Sequence, residues 1–322
     1  MSLIVYGQNV IKRMATRYPM KRVRILNRTG LFVGNTFEDY ATMTPLVFLD
    51  MFFPSEDSYT FVNEDEEADI CCYGPDLDDD TVLRNNELNV FISVENLAYW
   101  CNPKNCWGGN WSARYLFYRR YKHFGSKKTD IYIHNDKTRI TSTPLYKCIP
   151  TVFCRIAYYN KMGAVYRNCI QDVPFEKKHF ILFISKNNLN SNKRNLYSFL
   201  RQSRVRVHHI SMYDKVLKNT SCYHSRALLS VFSRYKFIAA FENSHTRGYV
   251  TEKIFNVFMA KSVPVYDGAP DVAEFINPRA FIPLDRDILK NLLLIGSNKQ
   301  LYDKIVNVNK IQPKYKNLKI NF

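Results

Sequence analysis

A chain of 322 residues has room for two domains of ordinary size, and 46% hydrophobic with 15% aromatic residues is the make-up of packed cores, which excludes a disordered chain. The formal net charge of +17 favours solubility and anionic partners; with Lys and Arg scattered, and neither zinc-finger spacing nor an RRM signature, nucleic acid is not expected among those partners. No window has the apolar length of a membrane span, and the first 22 residues lack the pattern of a secretory signal, so the chain is expected to be cytoplasmic, peripheral at most to an anionic membrane surface.

In the N-terminal half, Arg22–Leu26, Leu31–Val33, Tyr59–Val62, Asp69–Cys72, Val90–Val94 and Ile131–Ile133 have the length and residue types of strands. Residues 51–80 hold 11 of the 29 acidic residues and no Lys or Arg. Within them Asp76-Leu77-Asp78-Asp79-Asp80 looks like a metal-binding DxD run. It lies in an acidic loop and not at a strand end, so it is read as solvated. Glu95 ends the run Val90–Val94 and is followed by Asn96. A carboxylate at the carboxyl end of a buried strand is well placed for general-base work. Asp130 and Asp136, near the strand at 131–133, are held in reserve. The aromatic and basic segment 97–128, with Trp100, Trp107 and Trp111, fits neither period. It reads as an elaborated loop, either a structural excursion or an acceptor-binding lid. The eight cysteines are expected to be reduced and mostly buried.

Residues 161–178 read as an inter-domain link, and the C-terminal half is more regular. Phe180–Ile184 is a strand, 186–194 a polar loop, and Leu196, Phe199 and Leu200 recur at helical spacing. Val205–Ile210 is the next strand, and Ala227, Leu228, Val231 and Phe232 mark the next helix. Phe237–Phe241 is a third strand, followed by a polar loop, a helical stripe (Ile254, Phe255, Val257, Phe258), the strand Val263–Tyr266 and a turn at Asp267-Gly268. Ile288, Leu289, Leu292 and Leu293 suggest a closing helix. Strands alternating with helices predict a parallel, doubly wound sheet.

The stretch 241–253, FENSHTRGYVTEK, concentrates the chemistry. It sets polar groups between a buried strand and a helix start, where an open α/β sheet binds its ligand. Free N–H groups and the positive dipole end at a helix start, with Lys253 added, suit a phosphate or diphosphate. Arg194, before the helix that starts near Asn195, offers a second anion site of the same kind, with Lys193 beside it.

FENS, a few variable residues, YVTEK, and the downstream Val263-Pro264-Val265 with Gly268 together resemble the signature of the family-10 glycosyltransferases, the α-1,3/4-fucosyltransferases. The resemblance is strong over 236–282, thin over 90–160, and not visible in 1–60. It implies an α/β, GT-B-like fold of two Rossmann-like domains facing across a cleft. The domains would be an acceptor-side unit, 1–165, a nucleotide-sugar unit, 172–300, and a basic tail, 301–322. It implies inverting transfer of L-fucose from GDP-β-L-fucose, α-1,3 to a GlcNAc- or glucose-type hydroxyl of an oligosaccharide or glycoconjugate. Glu95 would be the base, and Arg194 and Lys253 would hold the diphosphate. Glu252 would accept from the ribose hydroxyls. Asn243 and Tyr249 would contact fucose or phosphate, and Glu242 would either touch the donor or orient the loop. No cofactor is required beyond the co-substrate GDP-fucose, and a divalent cation is compatible but not needed. The rival readings are a transferase of the same fold using another nucleotide sugar, and a silent glycan- or nucleic-acid-binding scaffold.

Overall fold

The computed structural model describes residues 21–26, 59–63, 65–73, 83–84, 86–92, 131–133, 147–149, 151–185, 191–211 and 226–316. The chain forms two compact units, Met1–Ala157 with Leu318–Phe322, and Tyr158–Asn317.

The first unit carries strands β1 (Lys21–Ile25), β2 (Tyr59–Val62), β3 (Ile70–Tyr73), β4 (Leu88–Ile92), β5 (Ile131–Ile133) and β6 (Lys147–Ile149). They pair in parallel, in the order β2-β1-β3-β4-β5-β6. A parallel sheet is covered on both faces, so a central strand is apolar without alternation. Strand β3, Ile-Cys-Cys-Tyr, is buried at all four positions. The ring of Tyr73 meets Phe91 edge-on at 5.6 Å. Arg24 is buried with Glu87, its Nε donating to Oε2 at 2.8 Å, so each buried charge has its counter-charge. Tyr59–Val62 and Ile131–Ile133 are strands at the expected bounds, and the runs near residues 22, 70 and 90 are strands shifted by one or two positions. The expected strand at 31–33 and the segment 97–128 lie outside the described residues.

The division between units falls within helix α1 (Thr151–Cys169). Residues 161–169 of the expected link belong to this helix. Val152, Cys154, Ile156 and Tyr158 are all buried. Their spacing of two imitates a strand and hides the helical period.

The second unit is β7 (His179–Ser185), α2 (Ser191–Gln202), β8 (Val207–Ser211), α3 (Arg226–Phe232), β9 (Tyr235–Phe241), α4 (Glu252–Met259), β10 (Val263–Asp267), β11 (Ile282–Pro283), α5 (Ile288–Ser297) and α6 (Lys299–Asn307). Its sheet runs β11-β10-β9-β7-β8, parallel throughout. Alternate residues Ile181, Phe183, Phe237, Ala239, Phe241, Val263 and Val265 pack with Leu196 and Leu200 of α2, Ile288 and Leu292 of α5, and Tyr302 and Val306 of α6. Helices α3 and α4 contribute a separate set of buried side chains, among them Leu228, Leu229, Ile254, Phe255, Val257 and Phe258. Residues assigned to a basic tail from 301 onward therefore include a core helix. Asn298 starts it, its side chain accepting from the Leu301 N–H at 3.1 Å. Among the described residues no helix is long and apolar enough to cross a membrane.

Candidate active site

The strand order of the second unit reverses between β7 and β9. At such a switch point an open α/β sheet offers a crevice for its ligand outside the carboxyl ends of its strands. One wall is the loop 242–251 with the start of α4; the other is the start of α2.

Glu242 organises the first wall. Its side chain has no exposed surface. Oε1 accepts from the Thr251 N–H at 2.8 Å, and Oε2 from the Thr251 hydroxyl at 2.6 Å and from Lys253 Nζ at 3.0 Å. Its own N–H donates to the Asp267 carbonyl at 2.7 Å. The loop is thus pinned at both ends by one residue. Thr251 occupies the N-cap position of α4, but its hydroxyl serves Glu242 and makes no cap bond to the helix. Burial works to lower the pKa of Lys253, yet Glu242 and then Glu252, whose Oε1 is 3.8 Å away, together hold it above the ordinary lysine value. That ammonium stays charged throughout the neutral and mildly alkaline range.

Gly268 lies directly over Glu242. A Cβ added there would stand 2.5 Å from Glu242 Cγ and 2.7 Å from the Tyr266 hydroxyl. The Tyr266 hydroxyl accepts from the Ala269 N–H at 3.1 Å. Burial, then the neighbouring Glu242 charge, pushes the Tyr266 pKa up, so the phenol remains protonated. Within the loop, Gly248 has φ 74° and donates its N–H to Asp271 Oδ1 at 2.8 Å, a conformation that suits glycine. Arg247 is exposed and pairs with Glu274 at 2.9 Å and Asp271 at 3.6 Å, at the solvent edge of the loop.

Asp267, the last residue of β10, joins the two walls. Its Oδ2 accepts from Asn192 Nδ2 of α2 at 2.8 Å, and its Oδ1 lies 2.6 Å from His245 Nε2 of the loop. Beside Asn192, Lys193 is only 8% exposed, with Nζ 3.4 Å from the Ile184 carbonyl of β7. Burial and then repulsion from Lys253 bring its pKa down to about 8, against the attraction of Glu242. Ser185, at the end of β7, has its hydroxyl 2.9 Å from His209 Nε2. Burial, and then Lys193, lowers the His209 pKa.

Of the residues expected at the site, Glu242, Glu252 and Lys253 come together, and the buried Tyr249 lies close enough to favour the Lys253 charge. Asn243 is exposed where the loop leaves β9, and Arg194 is exposed on the first turn of α2. Glu95, with its reserves Asp130 and Asp136, lies outside the described residues. The sequence reading did not assign roles to Thr251, Asp267 or Lys193. A signal for Asp267 was present: a carboxylate at the carboxyl end of a buried strand. Lys193 carried only its place next to Arg194. Chemically, two ammonium groups and two helix starts around one crevice form a receptor for a compact polyanion.

Residues 173–314 match the family model described as glycosyltransferase family 10 (fucosyltransferase), C-terminal part. The chain is 39% identical over 66 residues to an alpha-(1,3)-fucosyltransferase of Helicobacter pylori, covering 20% of this chain and 14% of that one. It is 30% identical over 93 residues to a GDP-fucose protein O-fucosyltransferase 3 of Gallus gallus, covering 27% and 20%. The matched stretches thus span less than two thirds of these relatives. A crystal structure of an alpha1,3-fucosyltransferase with GDP-fucose is similar with a TM-score of 0.55 at 20% identity, over 92% of this chain and 84% of that one. That likeness is one of fold, and the α/β, GT-B-like expectation holds.

Proposed function

We propose that this chain, whose residues 173–314 are a family-10 glycosyltransferase (fucosyltransferase) domain, moves L-fucose from GDP-β-L-fucose to a hydroxyl of an oligosaccharide or glycoconjugate. The observation that carries this is the closed set Glu242–Thr251–Lys253 beside the start of α2, at the switch point of the sheet. It lies inside the matched region, and it has the charge and helix-start geometry that a nucleoside diphosphate needs.

The transfer is a single displacement with inversion, α-1,3 to a GlcNAc- or glucose-type acceptor. Glu95 takes the proton of the acceptor hydroxyl as its oxygen attacks the anomeric carbon. The bond from that carbon to the diphosphate oxygen breaks, and GDP leaves with the electron pair. Lys253, Arg194 and the start of α2 compensate the charge that grows on the departing oxygen. Glu252 accepts from the ribose hydroxyls, and Asn243 and Tyr249 face fucose or phosphate. Glu242 acts as a positioning residue, since both of its oxygens are engaged by Thr251 and Lys253. The second unit holds the donor and the first the acceptor. The co-substrate is GDP-fucose, and no step is assigned to a metal.

Calorimetric titration with GDP and with UDP, on the wild type and on Lys253→Ala, tests the donor. GDP is expected to bind selectively, and Lys253→Ala to weaken it by about 2–3 kcal/mol, the size of a charge-assisted contact. Selective UDP binding would discard fucose and keep sugar transfer. Binding of neither nucleotide would sink the donor site.

A further inference from the structure

We propose that Asp267 is a positioning residue of the donor site; this rests on the donor reading above. Through Asn192 on one side and His245 on the other it fixes the start of α2 and the middle of the loop 242–251 at the spacing that the donor bridges. Asp267 ends β10, opposite Phe241 at the end of β9. Its carbonyl accepts from the Glu242 N–H at 2.7 Å, so its main chain is fixed to the base of the loop. Its carboxylate, 16% exposed, reaches elsewhere. Oδ2 accepts from Asn192 Nδ2 at 2.8 Å. A carboxylate offers only acceptors, so the Nε2 of His245, 2.6 Å away, carries the proton and donates to Oδ1.

Strand order gives these bonds their significance. β10 and β7 are not neighbours, because β9 lies between them. Strands two places apart are separated by about 10 Å, and the Asp267–Asn192 bond joins β10 to the helix that follows β7. It thus relates the two sides of the switch point directly. The middle of the loop is held on its other side by Asp271, whose Oδ1 accepts from the Gly248 N–H at 2.8 Å, while Glu242 fixes the loop's ends. Charge alone makes Asp267 a poor choice here, since a carboxylate in an anion site repels the ligand. Its two bonds have the opposite effect. Walls already set at the right spacing need no ordering when the donor arrives, and such pre-organisation raises affinity.

The test is amide hydrogen exchange of the unliganded full chain together with calorimetric titration with GDP, on the wild type, Asn192→Ala, His245→Ala, Asp267→Ala and Asp267→Asn. In Asp267→Ala the amides of Gly248, Tyr249 and Val250 and of the first hydrogen-bonded turn of α2 are expected to exchange faster, while those of β9 and β10 keep their protection. GDP should bind about fivefold more weakly to Asn192→Ala and to His245→Ala, and about 20-fold more weakly to Asp267→Ala, near the product of the two. Asp267→Asn, whose amide oxygen still accepts from Asn192, should recover to the level of His245→Ala. The sign is decisive, because removing a bystander carboxylate from an anion site would tighten GDP binding. Unchanged or tighter binding by Asp267→Ala overturns the proposal and leaves the donor site standing. So does a loss in Asp267→Ala that neither Asn192→Ala nor His245→Ala shares. An equal loss of protection in β9 and β10 would make the effect one of general stability and overturn it too. If the wild type binds no GDP, the donor reading falls and the proposal with it. Should Asp267→Ala not fold, Asp267→Asn with Asn192→Ala and His245→Ala decides.

Discussion

Glu242→Ala is expected to destabilise the second unit by about 3–5 kcal/mol and to abolish GDP binding, the largest effect of any single change in the loop. The carboxylate is fully buried and receives three hydrogen bonds, one from the Thr251 N–H, one from its hydroxyl and one from Lys253. Removing it strands a buried amide, takes the acceptor from a hydroxyl that is left only with Lys253 as donor at 3.1 Å, and deprives a mostly buried ammonium of its nearest anion. The loop then loses the hydrogen bonds that tie Thr251 to the end of β9. Glu242→Gln should be milder. An amide fills the same space, and its oxygen can still accept from the Thr251 N–H. The amide offers Lys253 no negative charge, however, and the pKa of that lysine should fall from its raised value. Chemical denaturation followed by amide hydrogen exchange of the second unit's strands, with GDP titration on each variant, measures both consequences. A Glu242→Ala protein as stable as the wild type would refute the organising role.

Gly268→Ala is expected to cost at least about 1–3 kcal/mol and to weaken GDP binding through displacement of Glu242. The methyl group would enter within 2.5 Å of Glu242 Cγ and 2.9 Å of its Cβ, and within 2.7 Å of the Tyr266 hydroxyl. No rotamer change clears the Cβ contact, because Cβ is fixed to the backbone of β9's end. Either the turn after β10 lifts away or Glu242 shifts off Thr251 and Lys253. A thermal melt together with a GDP isotherm separates these outcomes. Loss of stability alone means that the turn has moved. Loss of affinity as well means that the carboxylate has moved. A variant with wild-type values for both would show that the close approach is not needed.

The fold of the second unit was largely legible because its strands are short unbroken apolar runs between helices with a clear stripe. Phe237–Phe241 and Val263–Tyr266 are nearly the observed β9 and β10. Helix α1 was not, since Val152, Cys154, Ile156 and Tyr158 are buried at intervals of two along its first half. Helix α6 was hidden by its lysines, which suggested a solvated tail although Tyr302 and Val306 are in the core. At the site, the cluster within FENSHTRGYVTEK was legible because its partners are close in sequence and fixed by one loop. Asp267 was passed over because its partners, Asn192 and His245, are 75 and 22 residues away and only the parallel pairing brings them together. Lys193 could not be told from Arg194 by sequence. Which of two neighbouring cations turns inward depends on the rotation of α2 about its axis, which is set by Leu196 and Leu200 in the core.

The Asn192–Asp267 bond also bears on the order in which the protein acquires its structure. Its ends lie 75 residues apart, on the first helix and the fourth strand of the second unit in chain order, with β8 and β9 formed between them. Closing a loop of that length is entropically unfavourable until the intervening strands have paired. The crevice therefore belongs to the finished sheet and is absent from a nascent chain that has not yet delivered β10. A nucleotide that binds there recognises only fully assembled protein, so its presence during refolding should leave the early phase untouched and slow global unfolding by mass action.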